Sequence, residues 1–476
     1  MPKNLWIRIT KGRETLLFFA GVFLLSTIFF KSSFDVFFSQ DDYFHFVKSM
    51  EVNNLASFIK LFTFKIDNYG FYRPITDNVY FLLSQKIFKE KIFLYHFFNF
   101  SIFFASTYFV FKIFLITFRE NKKALFASFI YAISSFHFTS LSYISAVEEI
   151  FAAFFFFLTV FCFLEKRRLG LIFFILALFS RESAVSLPLV VLLLELLEEK
   201  KAKRSLPYFL TLLAYLFLRL ANGLFPDLSV YAVTFLPKTV FNNIFWYFLW
   251  GFGAPENLID FTGPGFKFNS QFFAPFPLLT KSIIILLFTI VFLFLISCFR
   301  RIRILKNGKN FWLYILWFLI SVLPFVFLTN HRFAFYLEIP FFGLAGLFTL
   351  LVYDSKKLRY LFLLLTCVLS FLTVDYYSKT YWAINRAKIS QKLIVFMKGK
   401  YPFLTKGSII YFESDKDYFS PSVQWGDSST QAKIALSGCN GLRFFYNDSK
   451  LECYFESDQN PPGDSENVIK VKARLD

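Results

Sequence analysis

Several ingredients of familiar soluble chemistry are missing from this 476-residue chain. It has no glycine-rich loop of the phosphate-cradling kind, which argues against a nucleotide-fuelled enzyme. It has no Ser-His-Asp signature, and its four histidines and five cysteines show no zinc-ligand spacing. Acidic residues are scarce, 33 against 51 Lys and Arg, for a net charge of +18. That charge could suit nucleic acid. The cations, however, sit in short loops between apolar segments, which is a topology signal, and no nucleic-acid partner is expected. No solenoid repeat is evident, and eukaryotic retention signals are missing. No small-residue cleavage site follows the first apolar run, so that run reads as a retained span. A multi-pass protein of a bacterial plasma membrane is the expected setting.

What the chain has in abundance is hydrocarbon. It is 56% hydrophobic and carries 76 Phe, the composition of a polytopic membrane protein. The expected fold is an all-α bundle of about 11 transmembrane helices, at 14–31, 92–115, 123–140, 147–164, 168–180, 184–197, 206–222, 279–299, 311–328, 333–353 and 358–375. Cations precede the first span (Lys3, Arg8, Lys11, Arg13) and crowd 119–123, 166–168, 200–204, 300–309 and 356–359. Every second loop is therefore basic, which puts the N-terminus in the cytoplasm and the C-terminus outside. The fifth and sixth segments fall short of spanning length and suggest a shallow hairpin with Arg181-Glu182 buried at its outer tip. Loops 32–91 and 223–278 are long and external, with amphipathic stretches at 55–64 and 240–252 suited to the membrane interface.

The chain divides into a bundle, 1–375, and an external α+β tail, 376–476. In the tail helical spacing continues through 388–398. Strand-like runs follow at 408–412, 442–446 and 451–455, with a turn at Asn447-Asp448-Ser449 that predicts a β-hairpin. Cys439 and Cys453 would lie just before its first strand and within its second, and are the candidate disulfide in an oxidising compartment. Cys162, Cys298 and Cys367 fall inside spans as small apolar residues.

Uncommon polar groups gather on the outer boundary, where charge at membrane depth is costly and marks function. The first external loop has Asp41, Asp42 and Arg73, and the second has His137, Glu148 and Glu149. Arg181 and Glu182 occupy the third, and His331 and Arg332 the fifth. A carboxylate of the acidic pair could take the proton from an acceptor hydroxyl, and its neighbour could tune it or help hold a divalent cation, Mg or Mn. Helix capping accounts for the pair, and for Glu148-Glu149, without any chemistry. Arg73, Arg181 and Arg332 are candidates to grip phosphate, against snorkelling for Arg332. His331 and His137 could bond phosphate or bind metal, or be satisfied structural groups. Glu148, Glu149, Glu182 and His137 are supporting or acceptor-side candidates.

The succession Asp41-Asp42-Tyr43, Tyr72-Arg73-Pro74-Ile75 and Tyr95-His96-Phe97-Phe98-Asn99 resembles the N-terminal region of GT-C glycosyltransferases. It is similar to the protein O-mannosyltransferase-like branch that includes the transmembrane-and-TPR mannosyltransferases. Tyr143-Ile144-Ser145-Ala146 through Glu149 resembles that family's aromatic-I-S…E stretch. Ser180-Arg181-Glu182-Ser183-Ala184 with Pro188 resembles its SKExA…P hairpin, and His331-Arg332 with Tyr336 and Pro340 its R…Y…P element. The match runs over residues 36–350 in family order. It departs in having Arg181 for the family's lysine and Ser135-Phe136-His137-Phe138 for its "HP", and no TPR array follows.

The resemblance implies an inverting transferase with a polyprenyl-phosphate sugar as donor and Asp41 and Asp42 as catalytic acids. The acceptor would be a hydroxyl of a protein, lipid or glycan, and membrane lipids the surrounding partners. Two other classes compete: a flippase of lipid-linked sugars, which needs polar groups at mid-depth on both faces, and a non-catalytic scaffold whose tail binds partners.

Overall fold

The computed structural model describes residues 12–62, 71–198, 202–221, 231–263, 265, 267–305, 308–415, 417, 426–458 and 468–475. Lys3, Arg8 and Lys11, the loop cations at 200–201 and 306, residues 63–64 of the amphipathic stretch and residue 222 of the seventh expected span lie outside them.

The chain is mostly helical. Among the described residues, five helices are long and apolar enough to cross a membrane: Ile92–Phe118, Ile144–Leu164, Pro277–Arg301, Lys309–Val326 and Lys356–Lys400. Glu14–Phe29, Leu206–Ala221 and Phe341–Val352 are apolar but shorter. Several expected spans are interrupted for local reasons. Segment 123–140 breaks after Asn121–Ile133, because Ser134 is extended, and helix resumes only at His137–Leu141. Segment 333–353 opens with a 3₁₀ turn, Ala334–Leu337, and becomes α-helical at Phe341, where Pro340 caps it. The short fifth and sixth segments are Gly170–Ser180 and Leu187–Glu198, joined by a 3₁₀ turn at Glu182–Ser186.

Helix Val147–Leu164 packs between Ile92–Phe118 and Gly170–Ser180. Since lipid tails are as apolar as Leu or Phe, such contacts depend on close fit rather than on escape from water. Lys309–Val326 meets Phe341–Val352 through glycine: a Cβ on Gly343 would lie 2.4 Å from the Tyr314 carbonyl oxygen, and one on Gly346 2.5 Å from the Tyr314 ring. Aromatic rings pack beside them, with Phe342 stacked 4.1 Å from Phe114 and tilted 4.2 Å from Trp317. Outward-facing Phe288, Phe292 and Phe299 of Pro277–Leu305 are exposed, as a lipid-facing side requires. Helix Pro237–Gly251, expected at the interface, turns Trp246, Tyr247 and Trp250 into the core and leaves Phe241 exposed.

The tail departs from the expected hairpin. Its sheet has three parallel strands in the order Glu452–Phe455, Ile409–Ser414, Val468–Ala473. Parallel neighbours need a crossover, and helices Ser428–Ala435 and Asn440–Tyr446 supply it. The run at 442–446 is therefore helix, not strand. Leu442 and Phe445, one turn apart, are both buried, and Asn447 closes the helix at φ 50°. Cys439 stands at the start of that helix and is bonded to Cys453 in the strand, with Cα atoms 5.1 Å apart.

The expected boundary at 375 falls inside helix Lys356–Thr380, which breaks at Tyr381 and continues as Trp382–Lys400. The tail also shares a core with helix Asp41–Met50, where Phe46 stacks on Phe444 at 4.6 Å and Phe37 on Phe445 at 5.7 Å.

Candidate functional site

Helix Asp41–Met50 begins abruptly. Gln40 before it has φ 53°, a left-handed conformation that costs a non-glycine residue about 1–3 kcal/mol and persists only when its surroundings impose it. Here they do: the Gln40 N–H donates to the Ala435 carbonyl at 2.9 Å, and Arg386 donates to the Gln40 side chain. The turn sends the two acids in different directions. Asp42 is buried and saturated, accepting from the Ser39 N–H (2.9 Å), the Ser145 N–H (2.8 Å) and the Ser145 hydroxyl (2.6 Å). Burial pushes its carboxyl up to about 7, against the pull of those donors. Asp42 thus ties the segment before helix Asp41–Met50 to Ser145. Asp41 is exposed and accepts from the Tyr143 hydroxyl at 2.8 Å. Tyr143 meets Trp382 edge-on at 5.3 Å, and the Arg386 guanidinium lies 5.2 Å from the Trp382 ring.

One helical turn beyond Asp41, His45 leads into a network of charges drawn from four further segments. Arg73 precedes the π-helical turn Pro74–Tyr80, a geometry frequent at functional sites. Glu148 and Glu149 occupy the first turn of Val147–Leu164. Arg181 is an extended residue between helices, and Arg219 lies in the last turn of Leu206–Ala221. Glu148 Oε2 receives both Arg73 and Arg181. Arg73 also pairs with Glu182 (2.8 Å), Arg181 with Glu149 (2.7 Å), and Arg219 with Glu182 (2.7 Å). Aromatic faces enclose the guanidinium groups: Phe71 is 4.3 Å from Arg73, and Tyr336 is 5.2 Å from Arg181. Charges this deep persist only when paired and hydrogen-bonded. Both arginines expected to grip phosphate are thus committed to carboxylates, and so are the supporting acids Glu148, Glu149 and Glu182.

Burial alone would raise Glu182, but Arg73 and Arg219 outweigh it and hold the carboxyl down to about 2. Its folded value lies below the ordinary 4.5, so its contribution to stability is present above pH 4.5 and is lost as pH falls through about 2. That contribution is at most about 3 kcal/mol. Between pH 4.5 and 2 the melting temperature of the wild type should fall towards that of Glu182→Gln. Parallel curves across that window would contradict the pairing.

The remaining expected residues are placed elsewhere. His137 is fully buried, held by Glu338 (2.9 Å) and the Tyr131 carbonyl (2.7 Å), with Ser140 also on Glu338. It packs within the 131–141 bend with no exposure. His96 is likewise consumed, bridging the Val36 and Leu141 carbonyls at 2.8 and 2.9 Å. His331 packs 4.3 Å from the Tyr231 ring, and burial, with Arg181 and Arg73 nearby, drives it down to about 3. Arg332 reaches Asn243 at 3.3 Å and acts on Asp260, at the margin of the network.

His45, Asp77, Arg219 and Tyr231 were not singled out from the sequence. The signal for His45 is its i+4 spacing from Asp41; Asp77 and Arg219 lack any local signal. Burial drives His45 down to about 4, although Glu148 and Asp41 oppose it. A ligand atom each from His45, Asp77 and Glu148 lies within 4.8 Å of the other two, whereas Asp41 and Asp42 form no such group among the described residues. A cleft of about 450 Å³ between Pro275–Ser282 and Leu372–Lys379 touches none of these residues. No protein-family model matches the chain, and no curated protein matches its sequence.

Proposed function

We propose that the protein is an integral membrane glycosyltransferase of the GT-C type, a hexosyltransferase that moves sugar from a polyprenyl-phosphate donor to an acceptor hydroxyl. In this reading the five long helices and six shorter apolar ones make eleven passages, with the N-terminus cytoplasmic and the tail external. The observation that carries it is one exposed carboxylate, Asp41, beside a buried charge network assembled from sequence-distant loops. Asp41 takes the proton of the acceptor hydroxyl while that oxygen attacks the anomeric carbon from the face opposite the lipid phosphate. The carbon–oxygen bond to phosphate breaks, polyprenyl phosphate leaves with the electron pair, and the sugar inverts. Tyr143 holds the Asp41 carboxylate in place, and Trp382 gives a sugar ring an apolar face. Arg73 and Arg181, locked by Glu148, Glu149 and Glu182, tie together the sequence-distant segments that frame Asp41.

The test uses proteoliposomes with radiolabelled polyprenyl-phosphate mannose, glucose and aminoarabinose. Release of sugar to water or to an added hydroxyl acceptor is expected for one donor. Translocation of intact donor without bond cleavage would overturn the transferase in favour of a flippase, and inertness towards all three donors would count against it.

A further inference from the structure

The charge network raises a difficulty for any phosphate-binding role. Arg73, Arg181 and Arg219 face Glu148, Glu149, Glu182 and Asp77, so fully ionised carboxylates outnumber guanidinium groups. Lys48 and Asp41, on the helix that carries His45, add one charge of each sign. With all of them ionised the cluster carries an excess of negative charge, which a proton or a cation offsets.

Two features locate where a cation would go. Asp77 and Glu148 face one another, with a carboxylate oxygen of each within 4.8 Å of the other. Two carboxylates at that range repel unless a proton or a cation lies between them. Both arginines use the same oxygen of Glu148, Oε2, so the other oxygen is outside the guanidinium contacts. The second feature is His45, whose side chain is 6% exposed and whose Nδ1 has no hydrogen-bond partner among the described residues. Buried imidazole nitrogens are ordinarily bonded, as both nitrogens of His96 and His137 are here. Phe81 stacks on the His45 ring at 4.6 Å and fixes its plane.

We propose that His45, Asp77 and Glu148 form a binding site for a first-row divalent cation, Mn²⁺ or Zn²⁺. One imidazole and two carboxylates suit these ions, whereas Mg²⁺ and Ca²⁺ prefer oxygen alone. The π-helical turn brings Asp77 to the start of the Glu148 helix, and helix Asp41–Met50 brings His45 to both. Neutral imidazole is the form that ligates, and the unpartnered Nδ1 of His45 is available for it. Three protein ligands leave coordination positions open. A phosphate oxygen of a lipid carrier fits there, close to Asp41; this last step alone rests on the transferase reading.

The experiment is metal binding by the full chain in detergent, without any donor. Protein stripped with chelator and titrated with Mn²⁺ should retain one ion per chain, followed by electron paramagnetic resonance. His45→Gln and Asp77→Asn should each weaken that binding by more than about tenfold. Glu148 is left intact because it also holds two arginines. X-ray absorption of the Zn²⁺-loaded wild type should show an imidazole nitrogen in the metal shell, a readout that needs no variant. A shell of oxygen alone, no retained ion, or unchanged affinity in both variants would overturn the site and leave a shared proton between Asp77 and Glu148. Because no sugar is transferred in these measurements, failure of the transferase reading would leave the result intact.

Discussion

Asp41→Asn should lower sugar transfer by about 10²–10⁴-fold, the usual worth of a positioned general base, with little change in melting temperature. The amide keeps an oxygen to accept from the Tyr143 hydroxyl, which holds the carboxylate at 2.8 Å, so geometry survives while basicity does not. The neighbouring acid should behave differently. Asp42 accepts from three donors of Ser39 and Ser145 and is buried. An amide there turns an N–H against donors, and each stranded buried donor costs about 1–3 kcal/mol. Asp42→Asn should therefore lose folded protein in a thermal melt, with the activity of the surviving fraction reduced far less than in Asp41→Asn. Equal loss of turnover in both variants at equal melting temperature would restore a joint catalytic role. Adjacent acids of identical type thus stand in different surroundings, one exposed and one buried, directly after the strained turn at Gln40.

The second large effect concerns stability. Glu148→Leu should destabilise the protein by about 3–5 kcal/mol, because removing one member of a buried ion pair strands the others. Here one carboxylate oxygen serves both Arg73 and Arg181. Combining Glu148→Leu with Arg73→Leu should return part of that loss, since one stranded guanidinium is then gone. Melting of the two variants in the same detergent checks this. A single variant as stable as wild type would mean that solvent, rather than Glu148, balances the arginines.

Most of the acids and arginines of the network were legible from the chain because such residues are rare among so much Phe and Leu. Their partners were not. Nothing near Arg73 in sequence announces Glu148 or Glu182, 75 and 109 residues away, and an unpaired reading of Arg73 and Arg181 naturally suggested phosphate. His137 looked like a site residue because its partner, Glu338, is 201 residues distant. Apolar runs located the helices, but run length could not show that Ser134 and Pro340 would interrupt two of them. In the tail, 442–446 has strand-like composition; burial of Leu442, Phe444 and Phe445 in the core shared with helix Asp41–Met50 made it a helix. The direction of strand pairing depended on that crossover, which local periodicity does not report.

The contact between Gln40 and Ala435 has a consequence for how the molecule is made. The loop bearing Asp41 emerges from the ribosome early, yet the groups that hold its turn are Arg386 and Ala435, and the aromatic residues beneath its helix are Phe444 and Phe445. Until those residues have been synthesised and docked, Gln40 lacks what keeps it left-handed and Asp41 has no fixed aim. A nascent chain would therefore carry its Asp41 carboxylate undirected until the tail has been made and docked.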